Sequence, residues 1–171
     1  MAGKTSCGIY LAERGFTHIE ASDYTKPLLP GSGPVRERCL AREGLYEAFG
    51  ADLAAQGILN SLGLLSEDSL HRVVITGTRT WEDIELLRAS GFRVNIIAIY
   101  RPLPDAFEAG LRRGRRDHPR EFVHFVLLFA WETKIGLGKI MWEADRLIVN
   151  GGTEQELWQQ VHEIIMLDSV G

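Results

Sequence analysis

Arg72-Val73-Val74-Ile75-Thr76-Gly77-Thr78-Arg79-Thr80-Trp81-Glu82-Asp83-Ile84 is the stretch from which the fold is read. Its opening is a β-branched run that stops at Gly77, the pattern of a short strand bounded by a turn. Thr80 with Asp83 makes a capping-box pattern, predicting a helix to Ser90 where Gly91 ends it. Phe92 to Tyr100 is then nearly continuous apolar sequence, as expected of a strand covered on both faces. Strand, helix and strand in that order imply parallel pairing through a right-handed crossover, with helices on both faces of the sheet.

The flanking sequence continues the alternation. Residues 4–14 read as a helix stopped by Gly15, followed by a short strand from Thr17 to Ala21. The breaker-rich stretch from Lys26 to Pro34 reads as a loop, and helices are expected over roughly 35–49 and 51–62. Further helices are expected near 104–113 and 119–135, around a polar turn from Gly114 to His118. Leu147-Ile148-Val149 is a last short strand. Thr153 with Glu156 then caps a helix whose Leu157, Val161, Ile164 and Ile165 share one face. The expected architecture is a single three-layer α/β/α domain with a parallel sheet, spanning 1–171.

Composition agrees with one globular domain. The chain has 171 residues, 45% of them apolar and 25% charged, enough to bury a core without a disulfide or metal staple. Two cysteines, Cys7 and Cys39, make no framework and point to a reducing, cytoplasmic compartment. A net charge of −4 argues against general nucleic-acid binding. Met1 to Gly8 has no apolar core of the secretory kind, and the longest apolar stretch, Phe122 to Trp131, is about half a bilayer span. A soluble protein with no membrane partner is expected. The five histidines show no metal-ligand spacing with either cysteine, and no Gly-x-Ser-x-Gly elbow is present.

The chemistry-bearing feature is Gly3-Lys4-Thr5 at the start of a predicted helix. It matches the second half of the phosphate-binding loop G-x-x-x-x-G-K-[ST]. Such a loop uses glycine for close backbone approach, free N–H groups at the helix start for phosphate oxygens, and lysine as an added charge. Its Thr hydroxyl supplies a magnesium ligand. A tripeptide of this kind near a terminus also occurs without function.

Four ordered blocks add context. Ala21-Ser22-Asp23, Val73 to Arg79, Arg112 to Asp117, and Ala144 to Gly152 follow the amino-terminal motif in sequence. On these the chain resembles the P-loop nucleotide kinases, above all the archaeal dephospho-CoA-kinase-like family, almost end to end. The resemblance implies a P-loop NTPase fold of the nucleotide-kinase type, here lacking its first strand. The first glycine of the motif would fall three residues before Met1. An internal start codon within a longer natural protein is the favoured explanation, ahead of a trimmed chain or a decayed copy. The resemblance also implies an acceptor-side helical insert about 26–62 and a lid about 104–135.

Roles follow from the same resemblance. Gly3, Lys4, Thr5 and Ser6 would hold ATP, with Lys4 on the β/γ-phosphates and Thr5 on Mg2+. Asp23 would face the acceptor as base or orienter. Gly77 and Arg79 would bind the acceptor, a guanidinium matching phosphate bidentately. Arg113 and Arg115 would close over the transferring group. Asn150 and Gly151 would lie beside the adenine. Each has a plainer reading: Asp23 as a turn cap, Arg79 as a surface residue before a helix, Arg112 to Arg116 as a solvated face, and Asn150-Gly151-Gly152 as a turn.

The match also departs from the pattern. The acid that the family carries at the end of its third strand is Thr76, and arginines expected before the lid fall on Ala106 and Ala109. Trp131 stands where the family has an arginine, within the apolar run 122–131. Losing a transition-state arginine costs ~10³–10⁵ in rate. Three functions are therefore in play: ATP-dependent phosphoryl transfer to a small phosphorylated acceptor such as a nucleotide or dephospho-CoA, a degenerate module that binds nucleotide or a partner without turnover, and a structural scaffold. The apolar 122–131 helix is expected to pack permanently against its own domain or a second copy in a homodimer.

Overall fold

The computed structural model describes residues 2–30, 33–114 and 118–168. Helix α1 (Lys4–Ala12) leads to β1 (Thr17–Glu20), two 3-10 turns (Ala21–Asp23 and Lys26–Leu28), then α2 (Val35–Phe49), α3 (Leu53–Leu62) and the single turn α4 (Glu67–Leu70). Next come β2 (Val73–Thr76), α5 (Trp81–Ala89), β3 (Ile97–Tyr100), α6 (Leu103–Arg112) and α7 (Phe122–Glu132). A π-helical turn (Thr133–Leu137) joins α7 to α8 (Gly138–Trp142), followed by β4 (Arg146–Val149) and α9 (Glu154–Asp168).

The strands pair in parallel. β1 runs beside β2 with Glu20 opposite Thr76, and β3 runs beside β4 with Tyr100 opposite Val149. Among the described residues no ladder joins the two pairs, so the expected single sheet is divided into two short ones. They meet through side chains instead: Val74 of β2 packs into the same cluster as Ile97 and Ile99 of β3.

Side chains alternate across the strands and sort helices to either face. Val74, Ile97, Ile99 and the buried Ile148 pack against Cys7 and Leu11 of α1 and Leu157 and Val161 of α9. On the other face, Ile19, Val73 and Ile75 meet Ala54, Ala55 and Ile58 of α3 and Leu87 of α5. Ile84, Ile96 and Ile140 extend that layer toward α8. The result is a mixed α/β fold with short parallel sheets, compatible with three layers. Ile58 is 0% exposed, so truncating it to alanine should cost about 2–5 kcal/mol.

Two local expectations are corrected by where polar groups find partners. The strand expected from Phe92 begins only at Ile97; just before it, the Ile96 N–H is taken by a side chain, donating to Asp145 Oδ2 at 2.7 Å. Thr80 and Asp83 do not form a reciprocal box. Thr80 Oγ1 donates to Asp83 Oδ2 (2.7 Å) and also lies 2.7 Å from the Ala51 carbonyl, while Asp83 Oδ1 accepts from the Ala55 N–H (2.9 Å) in the first turn of α3. The pair thus ties α5 to α3. By contrast, the Thr153–Glu156 box forms as expected, with Thr153 N–H donating to Glu156 Oε2 and Glu156 N–H to Thr153 Oγ1.

The apolar helix α7 packs on α2 and α6 but has no buried residue. Phe107 of α6 is ringed by Phe122, Phe125 and His118, while Phe122, Val123 and Leu127 remain exposed. Its own domain therefore covers one side of it. No helix among the described residues is long and apolar enough to cross a membrane.

Candidate functional site

The site is built at the start of α1. Gly3 precedes the helix with φ 99°, a left-handed conformation that side chains rarely adopt. A Cβ there would also lie 2.5 Å from Leu157 Cδ2. The turn therefore calls for glycine, and Leu157 of α9 would have to shift to admit any side chain there. Asn150, buried at the end of β4, fixes the same segment: its Nδ2 donates to the Ala2 carbonyl at 2.8 Å, and its own N–H donates to Tyr100 O at 2.7 Å.

Lys4 and Thr5 then face the ends of β1 and β2. Thr5 Oγ1 donates to Glu20 Oε2 at 3.0 Å. Thr76 Oγ1 donates to the same oxygen at 2.9 Å, and Ser22 Oγ donates to Oε1 at 3.1 Å. With its proton committed to Glu20, Thr76 accepts from His18, whose Nε2 is 2.8 Å away, so His18 carries its proton on Nε2. Gly8 makes room for that imidazole under α1, since a Cβ at position 8 would fall 2.3 Å from His18 Nε2. Gly77 does the same for the carboxylate, with φ 83° and a would-be Cβ 1.9 Å from Glu20 Oε1.

Burial alone would raise the Glu20 carboxyl, but hydrogen bonds from Thr76, Thr5 and Ser22, with the nearby Lys26 charge, hold it below its ordinary range. Burial lowers the Lys4 ammonium, and Arg79 pushes the same way, against the attraction of Glu132 and Glu20. The field at Lys4 is thus made by two acids and one arginine.

The second half of the site is an arginine pair held by one acid. Arg79 Nε donates to Glu132 Oε1 at 2.9 Å, and Arg42 Nη1 of α2 lies 3.9 Å from the same oxygen. All three side chains are largely withdrawn from solvent, at 27%, 19% and 14% exposure for Arg79, Glu132 and Arg42. Burial opposes the Arg79 charge, but Glu132 and Tyr46 more than restore it. Arg42 Nε is buried without a hydrogen-bond partner. Beside it, Trp131 Nε1 donates to Glu43 Oε1 at 2.6 Å, fastening α7 to α2.

The structure brings together Gly3, Lys4, Thr5, Gly77 and Arg79 of the residues read from sequence. Asp23 does not join them: its side chain is 70% exposed and faces Lys26 at 3.8 Å. The Ser6 hydroxyl turns to α9, donating to Glu154 and accepting from Trp158 Nε1. Arg113 closes α6 with an exposed side chain, and Arg115 lies outside the described residues. Ala106 and Ala109 are buried on α6. Asn150 and Gly151 line an open hollow with Thr153, Glu156 and Gln160 at the start of α9.

Glu20, His18, Arg42 and Glu132 are the members that sequence reading passed over. His18 and Glu20 carried a signal, because polar residues at period 2 in a strand of a parallel pair break the apolar pattern such strands usually show. Neither cysteine is poised for chemistry: burial, with Glu154 adding to it, pushes the Cys7 thiol up to about 11, and burial also raises Cys39. Among the described residues no group of three or more His, Cys, Asp or Glu side chains is arranged for a metal.

No protein-family model matches the chain. It is similar to UPF0200 proteins: that of Sulfurisphaera tokodaii is 26% identical over 166 residues, covering 96% of this chain and 90% of the relative. That of Saccharolobus solfataricus is 26% identical over 165 residues, with 95% and 86% covered. A UPF0200 protein of Thermococcus onnurineus is 32% identical over 95 residues, 54% of this chain and 51% of its own length. These names state no activity.

Proposed function

We propose, for a chain similar to the UPF0200 proteins along nearly its whole length, ATP-dependent phosphoryl transfer to a small phosphorylated acceptor, a nucleotide or a dephospho-CoA-like molecule. The observation that carries this reading is the convergence of Gly3, Lys4 and Thr5 at a helix N-terminus with Arg79 at the carboxyl end of β2. Ligands of open α/β sheets bind at that end of the strands. The parallel pairing within each of the two strand pairs suits a P-loop kinase fold.

In this reading the backbone N–H groups after Gly3 and the Lys4 ammonium take the β/γ-phosphates, and the base lies by Asn150 and Gly151. Arg79 exchanges Glu132 for the acceptor phosphate, which suits the fork of a guanidinium better than a single carboxylate oxygen does. The Thr5 hydroxyl is a hard oxygen donor of the kind Mg2+ accepts. With ATP bound, Mg2+ would offset charge between the β- and γ-phosphates. The protein's own part is positioning and charge complementarity.

A second reading, a degenerate module that holds nucleotide without turnover, is favoured by the buried Ala106 and Ala109 and by Trp131, whose indole is committed to Glu43. One experiment separates them. Protein mixed with ATP, Mg2+ and a panel of phosphorylated acceptors should release ADP with one of them. No release above background, with heat of ATP binding still seen by calorimetry, would favour the second reading. No heat at all would overturn both.

A further inference from the structure

Glu20 is a partly buried carboxylate whose hydrogen bonds, among the described residues, come from hydroxyls, with the Lys4, Lys26 and Arg79 charges nearby but not in contact. Thr5 and Thr76 donate to Oε2, and Ser22 donates to Oε1. Among the described residues no lysine or arginine forms an ion pair with it. A structural carboxylate in this setting would gain more from a cation than from hydroxyls. Hydroxyls have a different property: each O–H turns about its C–O bond, so the same oxygen that donates can present a lone pair instead.

The spacing suits that exchange. Two oxygens at right angles on an Mg2+ ion, at about 2.1 Å each, lie about 3.0 Å from one another. Thr5 Oγ1 and Glu20 Oε2 are 3.0 Å apart. On the other oxygen Gly77 allows its backbone a close approach, since a Cβ there would fall 1.9 Å from Glu20 Oε1. Behind Thr76, the His18 Nε2–H fixes which way that hydroxyl points.

We propose that Glu20 is the acidic ligand of a divalent cation of the Mg2+ class, with the Thr5 hydroxyl as the second protein ligand and Thr76 as the residue that orients the carboxylate. The proposal rests on the phosphoryl-transfer reading, because one carboxylate and one hydroxyl hold Mg2+ only when phosphate oxygens and water complete its shell. It places the site's negative charge on β1, one strand away from Thr76, where the resemblance expects an acid. The neighbouring pair in register, Glu20 opposite Thr76, brings that charge to the same spot from the other strand.

The test uses Mn2+ as a paramagnetic stand-in, titrated into the whole protein with a non-hydrolysable ATP analogue and followed by the loss of the free-ion electron paramagnetic resonance signal. Glu20→Gln should weaken Mn2+ binding about 10–100-fold, the range of losses seen when groups around a metal are removed. Affinity for the analogue in EDTA should stay the same or tighten, because a negative charge has gone. Glu20→Asp keeps the charge but shortens its reach, so it should show a smaller loss, and it serves if the glutamine variant does not fold. Wild-type Mn2+ affinity in both variants, with analogue bound, overturns this proposal and leaves the phosphoryl-transfer reading standing. A wild-type protein that binds no analogue with or without Mn2+ overturns both.

Discussion

Replacing Gly8 with alanine tests whether α1 is seated on the site as described. In a helix interior, Gly→Ala alone should stabilise by about 1 kcal/mol. Here the added methyl would lie 2.3, 2.6 and 2.7 Å from Nε2, Cδ2 and Cε1 of His18. The ring cannot swing aside freely, because its Nε2–H is held by Thr76 Oγ1 at 2.8 Å, and Thr76 is held in turn by Glu20. Overpacking of this kind costs about 1–3 kcal/mol, and three ring atoms inside contact distance place it at the upper end. The net expectation is a loss of about 1–2 kcal/mol, read by thermal denaturation as a fall of roughly 2–8 °C.

The decisive measurement is the same substitution in a His18→Ala background. With the imidazole gone the methyl's three nearest neighbours are removed, and Gly8→Ala should then stabilise by about 1 kcal/mol. The sign reverses, giving a coupling of about 2–3 kcal/mol between positions 8 and 18. If Gly8→Ala stabilises the otherwise unchanged protein, the close seating of α1 over His18 is refuted, and with it the ordering of Thr76 against Glu20.

Two other perturbations read the charges. Because the Glu20 carboxyl is held below its ordinary value of 4.5, its contribution to stability is full above that value and is lost as pH falls through the depressed one. Glu20→Gln should therefore lose less stability than the unaltered chain across that window in urea titrations; parallel curves would contradict the hydroxyl-stabilised carboxylate. Glu132→Gln leaves Arg79, Arg42 and Lys4 without their shared acid. It should lower stability by about 1.5–3 kcal/mol while tightening binding of inorganic pyrophosphate by calorimetry, and weaker binding would show that Glu132 does not compete with phosphate.

The sequence made the backbone half of the site legible because its constraints are local. Gly3 must reach a left-handed φ, the helix must begin at Lys4, and the strand must stop at Gly77; each is written in adjacent residues. The side-chain half was not legible because it is assembled across the chain. Arg42, Arg79 and Glu132 come from α2, the turn before α5, and the end of α7, and no spacing rule connects them. Glu20 was obscured differently. The resemblance expects an acid at position 76, where Thr76 stands, whereas parallel register puts residue 20 directly opposite it. Asp23, the acid that the sequence did suggest, is three residues further on and turns out to solvent at the 3-10 turn.

That division has a physical consequence for how the site can change. The half at the start of α1 is fixed by backbone and by close glycine contacts that an added side chain would crowd, at Gly3 against Leu157 and at Gly8 against His18. The arginine half depends on where α7 places Glu132, and α7 is followed by a kink at Gly136, whose φ of 149° is not helical. A Cβ on Gly136 would come 2.8 Å from Arg79 O and from Thr80 Cα. The turn after Glu132 is thus pressed against the backbone of the same arginine that Glu132 binds through its side chain. On the proposed reading, a phosphate that displaced Glu132 would release only the side-chain contact, while the backbone contact would keep Arg79 in place. An arginine whose main chain is clamped independently of its counter-ion is suited to exchanging one anion for another.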